Sequence, residues 1–291
     1  MKNSHKTISF DRISFQLKEH HSFAWLKRLG TAFTVFADQD SGNLCFGMVK
    51  EGERRFVKYA GAPTAAYTGQ PRDAIRRLKR AIPLYEQLRH PYLINLIDHF
   101  ETEEGYAAVF EWFDGECLHS PTTFPPPAKY QHPDSPYYRF HQLPLELKLN
   151  ALDRIFSFHK HVEQNEHVAI DFYDGSILYN FKEKTTKLCD IDFYERKPYQ
   201  NITGRMWGSS RFMSPEEFEY GAAIDERTNV FTMGAIAFSL LGGELDRSFS
   251  KWTASHELYE VALKAVRPER QERFSNVHEF YRAWKKQEQS P

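Results

Sequence analysis

Short apolar runs alternate with polar turn stretches over the first part of this chain. TAFTVFAD (31–38), CFGMV (45–49) and RFVKYA (55–60) each read as a β-strand, and the stretches DQDSGN and KEGER between them carry turn residues. The pattern predicts an antiparallel meander of three strands. The period then changes: Ala74, Leu78, Ile82, Tyr85 and Leu88 fall on one face of a helix. GYAAVFEWFDGECL returns to an apolar strand that runs into a short connector. Leu145, Leu147, Leu149, Leu152, Ile155 and Phe156 restore helical spacing over a long segment. Two stretches show neither period. Residues 1–24 form a polar leader with scattered Ile and Phe, to which no chemistry is assigned. Residues 119–142, HSPTTFPPPAKYQHPDSPYYRFHQ, read as a surface loop with some extended polyproline character.

Between these segments lies the stretch that concentrates carboxylates. Residues 176–179 and 187–189 are short apolar runs joined by a polar turn. Asp171 and Asp174 precede the first, and Asp190 and Asp192 follow the second. A hairpin folded at that turn brings its outer ends together. Four carboxylates meeting there would repel one another unless a cation sat between them, and oxygen ligands suit Mg²⁺. The plainer expectation is that each aspartate caps a strand or turn.

Composition narrows the partners. The chain has 291 residues, 38 basic and 39 acidic, with a net charge of −1, which gives no electrostatic case for nucleic acid or an acidic membrane surface. No apolar run approaches the roughly 20 residues needed to span a bilayer, and the N-terminus lacks the apolar core of a signal peptide. Cys45, Cys117 and Cys189 have no metal-ligand spacing and fit free thiols in a reducing compartment. His159, His161 and His167 read as helix-surface and loop residues. The expectation is a soluble, cytoplasmic protein that binds neither nucleic acid nor membrane.

Several segments, taken in order, resemble the eukaryotic-like (Hanks-type) protein kinase superfamily, with its HRDxKxxN loop followed by a DFG triplet. Asp171 falls at the catalytic aspartate, Ser176 at the asparagine five residues on, and Asp190 at the DFG aspartate, with a separation of 190 − 171 = 19. FVKYA resembles VAIK and places Lys58 at the lysine that meets the ATP phosphates. Gly42, Gly47 and Val49 match parts of the GxGxxGxV loop, where backbone N–H groups approach phosphate and the valine covers adenine. LRHPYLINLIDHF resembles LxHPNIVxLxDxF. Phe110 falls at the gatekeeper position, and the backbones of Glu111 and Phe113 at the adenine-binding connector. GSSRFMSPEEF resembles GTPRYMAPEEF, IDERTNVFTMGAIAFSLLGG resembles IDxRSDVYSLGxxLYELLTG, and VRPERQERFSNVHEFYRAW resembles the last helices. The resemblance implies an α+β, two-lobed kinase-like fold, with a leader at 1–24, a β-rich N-lobe at 25–113 and a mainly helical C-lobe at 114–291 that carries the 119–142 loop as a surface insertion. It also implies a buried Glu216–Arg273 pair, and Asn229 accepting from the catalytic-loop backbone where the family has aspartate.

The departures from the family pattern bear on activity. Counting back ten from Pro91, the position of the glutamate that pairs with the strand lysine is Ala81, with Pro83 two residues on. Either that helix breaks or Lys58 is held by something else. Ile170 replaces the arginine that grips a phosphorylated activation loop, so activity should not need phosphorylation between Asp190 and Glu216. Tyr173 replaces the lysine typical of Ser/Thr-specific members. Asp192 stands where the family has glycine; it or Asp174 could replace the missing asparagine as metal ligand. The retained Lys58, Asp171 and Asp190 point to an ATP-dependent phosphotransferase using Mg²⁺ or Mn²⁺, a divergent serine/threonine kinase acting on a protein whose identity the residues do not give. The alternative is a nucleotide-binding or scaffolding pseudokinase. A small-molecule kinase is disfavoured by the SPEEF shelf.

Overall fold

Residues 13–17 alternate buried and exposed, so Ile13, Phe15 and Leu17 point one way and Ser14 and Gln16 the other. That alternation makes a strand with one apolar face. The computed structural model describes residues 5–37 and 39–288. Residues 1–4 of the predicted leader, Asp38 at the end of the first predicted strand, and residues 289–291 lie outside the described residues. The chain divides into two units, Met1–Arg89 with Ile94–Phe113, and His90–Leu93 with Asp114–Pro291.

In the first unit, β1 (Lys6–Phe10) and β2 (Ile13–Leu17) form a hairpin. Asp11 turns it with a positive φ of 52°, which aspartate tolerates better than most residues. β3 (Thr31–Phe36), β4 (Asn43–Lys50), β5 (Glu53–Ala60), helix α1 (Pro71–Gln87), β6 (Leu96–Glu101) and β7 (Tyr106–Glu111) follow. The sheet is antiparallel, in the order β3-β4-β5-β7-β6. Ile13, Phe15, Leu17, Phe23 and Leu26 pack with Leu44, Phe46, Met48, Val57, Tyr59 and Val109 in one core cluster. The stretch read as a polar leader is therefore part of the folded unit. Its apolar residues are too few to mark a strand by themselves, yet Ile13, Phe15, Leu17 and Phe23 join the core cluster, with Ile8 and Phe10 packed against it.

Of the two alternatives at α1, the break does not occur. The helix runs through Pro83, with Pro71 in its first turn where no N–H is needed. Leu78, Ala81, Ile82 and Tyr85 are buried along it.

The second unit is mainly helical. β8 (Glu116–Cys117), α2 (Ala128–Gln131), α3 (Pro136–His141), α4 (Leu145–Gln164), β9 (His167–Val168), β10 (Ile177–Asn180), β11 (Thr185–Leu188), β12 (Glu195–Arg196), β13 (Tyr199–Gln200), β14 (Ala223–Ile224), α5 (Glu226–Leu241), α6 (His256–Ala265) and α7 (Val277–Glu288) succeed one another. α5 is apolar on every side and buried nearly throughout, as a helix without a polar face must be. Phe156 of α4 meets Phe280 and Trp284 of α7 at ring separations of 4.9 and 5.2 Å. Among the described residues no helix is long and apolar enough to cross a membrane.

Residues 119–142 correct the surface-loop expectation. They form α2 and α3 and bury Lys129, Tyr137 and Phe140. Tyr137 Oη donates to the Ser239 carbonyl at 2.7 Å, and Phe140 stands edge-on to Tyr179 at 5.1 Å. Helices of four and six residues are too short for a 3.6-residue period to show.

The Glu216–Arg273 pair forms as a two-pronged bridge at 2.7 and 3.0 Å, both side chains buried. Thr228 Oγ1 also donates to Glu216 at 2.9 Å, and Arg273 donates to the carbonyls of Arg227, Arg267 and Pro268. Every donor of the guanidinium fork is thus used. Glu216→Ala should lower the unfolding free energy by about 3–5 kcal/mol, because it strands a buried guanidinium; urea denaturation that moved by less than about 1 kcal/mol would contradict this.

Candidate active site

In the first unit, strand register sorts the sequence-selected residues. Cys45 pairs with Lys58 and Lys58 with Ala108; Gly47 pairs with Phe56 and Phe56 with Phe110. Leu44, Phe46, Met48, Val57, Tyr59, Ala107 and Val109 belong to the core cluster on one face. With a period of two, Gly47, Val49, Lys58 and Phe110 therefore share the opposite face. Tyr85 of α1 packs edge-on to Phe110 on that side, with ring centroids 4.8 Å apart. Lys58 is buried there, so its ammonium sits where an anion would be stabilising. Ala81, fully buried on α1, offers no carboxylate.

Gly42 lies in the turn before β4, at φ +76°, and a Cβ there would be 2.6 Å from the Tyr67 ring. Arg77 of α1 donates to the neighbouring Ser41 carbonyl, which ties the turn to the helix. At the end of β7, the Glu111 N–H donates to Asn95 O at 3.0 Å and Glu111 Oε1 accepts from Asn95 N at 3.0 Å. Phe113 ends the unit.

In the second unit the predicted hairpin forms: β10 and β11 pair from Ile177↔Leu188 to Asn180↔Thr185. Asn180 Oδ1 caps its turn by accepting from the N–H groups of Lys182 and Glu183 at 3.0 and 2.9 Å. At the open end, Cys189 N donates to Ser176 O at 3.0 Å, which sets Ser176 beside the residue preceding Asp190. Ser176 is buried, and its Oγ makes no hydrogen bond. Asp190 is exposed, while Asp192 is buried.

The loop holding Asp171 hangs from α5. Asn229 Oδ1 accepts from Ala169 N at 2.8 Å, as expected of the residue at the family's aspartate position. Asn229 Nδ2 donates to Glu163 Oε1 at 3.2 Å, and Glu163 Oε2 accepts from Val277 N at 2.8 Å. Burial pushes the Glu163 carboxyl up to about 8 despite those two donors. Ile170 packs with Val168, Met206, Met213 and Ile224. Gly208, at φ +140°, lets its segment approach so closely that a Cβ there would lie 3.6 Å from the Asp171 Cα. Asp171 and Asp190 both adopt positive φ, 63° and 59°, a sparsely populated conformation for side-chain-bearing residues that recurs at functional sites. Both carboxylates act on Tyr173 and Tyr194: burial first, then these negative charges, push the two phenols above their ordinary range.

The four aspartates do not converge. Among the described residues no group of three or more His, Cys, Asp or Glu side chains could hold a metal ion. Asp174 turns away into an ion network: Arg211 donates to its two oxygens at 2.9 Å each, and Lys129 Nζ donates to Oδ2 as well at 2.5 Å. The reading of Asp174 as a metal ligand fails because its oxygens already serve two cations. Lys129, Arg211 and Glu244 were not legible as site residues, since the partners that each one bonds lie far from it in sequence.

The histidines also differ from expectation. His159 is fully buried; its Nδ1 lies 2.8 Å from Ile155 O and its Nε2 2.9 Å from Tyr194 Oη. Burial pulls it down to about 3, so the neutral ring donates to the carbonyl and accepts from the phenol. Its ring centroid is 4.2 Å from that of Phe172, next to Asp171. His167 is buried as well, its Nδ1 2.5 Å from Asn165 O.

A β-sheet-rich N-terminal region and a helical C-terminal region, together with a loop of this build, are compatible with the protein-kinase fold. No family model matches the chain. It is 26% identical over 175 residues to the serine/threonine-protein kinase PrkC of Bacillus subtilis, covering 60% of this chain and 24% of that protein. It is 25% identical over 213 residues to the human myosin light chain kinase family member 4, covering 72% and 50%. It is 22% identical over 172 residues to the serine/threonine-protein kinase nekl-2 of Caenorhabditis elegans, covering 59% and 46%. The chain spans half or less of the length of each. These low-identity relatives support a relationship to the protein-kinase superfamily.

Burial raises Glu163 to about 8 and Glu217 to about 7, each from 4.5. The folded state thus holds these protons more tightly than the unfolded one. The stability they contribute is complete below about pH 4.5 and is lost as pH rises toward 8. Between pH 7 and 8.5, where exposed histidines are already largely neutral, the melting temperature should fall with rising pH. Glu163→Gln should flatten that fall; a variant with the wild-type slope would show that Glu163 does not titrate there.

Proposed function

We propose that the chain is an ATP-dependent phosphotransferase of the serine/threonine protein kinase type, acting on a protein hydroxyl. The observation that carries this reading is the placement of Asp171 and Asp190. Both sit on left-handed backbone, Asp171 on the loop that Asn229 holds through Ala169, and Asp190 just after Cys189, whose N–H donates to Ser176 O. Phosphoryl transfer asks little covalent chemistry of a protein beyond positioning and charge neutralisation.

In this reading Asp171, half-buried and held through Ala169 and Ile170, orients the acceptor hydroxyl and takes its proton. Lys58 would bind the α- and β-phosphates, with Gly42 and Gly47 giving the backbone room and Val49 and Phe110 bordering the adenine. The connector backbone at Glu111 and Phe113 would hold the base's polar edge. Asp190, Asp192 and the hydrogen-bond-free hydroxyl of Ser176 are hard oxygen donors that fit Mg²⁺ or Mn²⁺, which usually takes one or two carboxylates and completes its shell with water and phosphate. When bound, the metal neutralises charge on the triphosphate. In this reading the apolar seat of Ile170 supports activity without phosphorylation between Asp190 and Glu216.

One observation favours a second reading, a nucleotide-binding or scaffolding module without transfer. Ala81 is buried on α1 where the family's glutamate would pair with Lys58.

Transfer of labelled γ-phosphate from ATP, with Mg²⁺ or Mn²⁺, to the chain itself and to a generic basic protein separates the two. Label should appear with the wild type and fall by about a hundredfold or more in Asp190→Ala, the equivalent of a few kcal/mol of lost charge stabilisation. Absence of label in both, with nucleotide still raising the melting temperature, would replace the first reading by the second.

A further inference from the structure

Four charged side chains of the second unit are withdrawn from water into one network. Each comes from a different place: Lys129 from α2, Asp174 from the loop that carries Asp171, Arg211 from the segment before Pro215, and Glu244 from just after α5. Lys129 and Asp174 are fully buried, and the Arg211 and Glu244 side chains are 16% and 9% exposed. Two cations face two anions, so the cluster is neutral. Arg211 forks onto Asp174 at 2.9 Å on both prongs and also donates to Glu244. Lys129 bridges the same two acids at 2.5 and 3.2 Å. Tyr130 Oη donates to Glu244 at 2.9 Å, and the Tyr137 ring centroid is 4.1 Å from the Lys129 ammonium. His119 approaches Asp174 at 4.0 Å. Burial alone would raise the Asp174 carboxyl, but the two cations more than reverse it and hold it below the usual range.

The network's place in the chain gives it a consequence. Asp174 lies three residues beyond Asp171, and Arg211 three beyond Gly208, where a Cβ would stand 3.6 Å from the Asp171 Cα. Between those contacts Ile170 packs on Met206 and Met213. The segment that approaches Asp171 is therefore fastened at both ends: by apolar packing under Ile170 and by the ionic fork at Asp174.

We propose that the Arg211–Asp174 fork, backed by Lys129 and Glu244, is a built-in latch that holds residues 205–214 in their working conformation without an added phosphate. The polarity is the reverse of an arrangement in which an arginine of the loop grips a phosphorylated segment. Here the cation lies on the segment and the anion on the loop. A phosphate placed in this region would face Asp174 and Glu244, whose charges are already matched. Arg211 and Lys129 are positioning residues: they act on Asp171 through the loop. That the held conformation is the working one rests on the proposed phosphotransferase reading; the latch itself does not.

The test is hydrogen exchange on the full chain after phosphatase treatment, followed over 169–176 and 199–214. Wild-type protection should be the same before and after the treatment. Arg211→Gln and Asp174→Asn should each speed exchange in both stretches by about tenfold or more, while α5 stays protected. The double variant should be no faster than the faster single, because neutralising both leaves Lys129 matched to Glu244. Arg211→Lys, which keeps the charge and the fold but not the two-pronged geometry, should fall between. Strictly additive effects, a wild-type segment loosened by phosphatase, or equal loosening of α5 would each overturn the latch. A coupled pair in a protein that transfers no label would uphold the latch and reject the phosphotransferase reading.

Discussion

The second unit depends on one buried amide. Asn229 is fully enclosed in α5, a helix with no polar face, so its side chain cannot reach water and must find partners inside. Its oxygen takes the Ala169 N–H and its nitrogen reaches Glu163, whose second oxygen takes the Val277 N–H at the start of α7. One chain of hydrogen bonds thereby joins α4, α5, α7 and the loop that presents Asp171. An unmade member would leave a buried polar group at a cost of about 1–3 kcal/mol, so the loop's position is set by the core and not by solvent-exposed contacts. An acid at 163 beside an amide at 229 also avoids two adjacent buried carboxylates. Burial raises that acid's affinity for a proton, against the pull of its two hydrogen-bond donors.

Around this anchor, charge has been removed in one place and buried in another. Ile170 turns the site of a potential arginine into an apolar contact with Met206 and Met213. Arg211, Lys129, Asp174 and Glu244 carry charge into the interior, but as a balanced set in which each ion has hydrogen-bonding partners. Buried ion pairs rarely add net stability over apolar packing; what they add is a penalty for any arrangement that separates them. That penalty is suited to holding one conformation of the segment that carries Arg211.

Much of this was legible in the sequence where pattern and pairing are local or run in a familiar order. The meander, the 177–188 hairpin, Asn229 bonding to the loop backbone and the Glu216–Arg273 bridge could all be read, because each rests on a period of two or on a motif several residues long. The rest escaped for identifiable reasons. α2 and α3 are too short to display a period, and β1 and β2 hide their apolar faces among charges. Asp174 was one of two candidates to replace the missing asparagine because the hairpin was expected to bring it near Asp190 in space, yet its partners Lys129, Arg211 and Glu244 lie 45, 37 and 70 residues away in sequence. His159 looked like a surface residue because the acceptors and donors that justify its burial, Ile155 O and Tyr194 Oη, are invisible to helical spacing. Pro83 left a broken helix as one of two alternatives, and α1 continues past it.

The central claim is that the core-anchored loop presents Asp171 as the group that takes the acceptor's proton. It is tested most directly by Asp171→Asn, which keeps the side chain's size and removes its basicity, measured for nucleotide-induced melting shift and for γ-phosphate transfer in the same preparation. The account predicts a retained shift and transfer lowered by about 10²–10⁴-fold, the range for removing a general base. Transfer at the wild-type rate, with the shift unchanged, would contradict it.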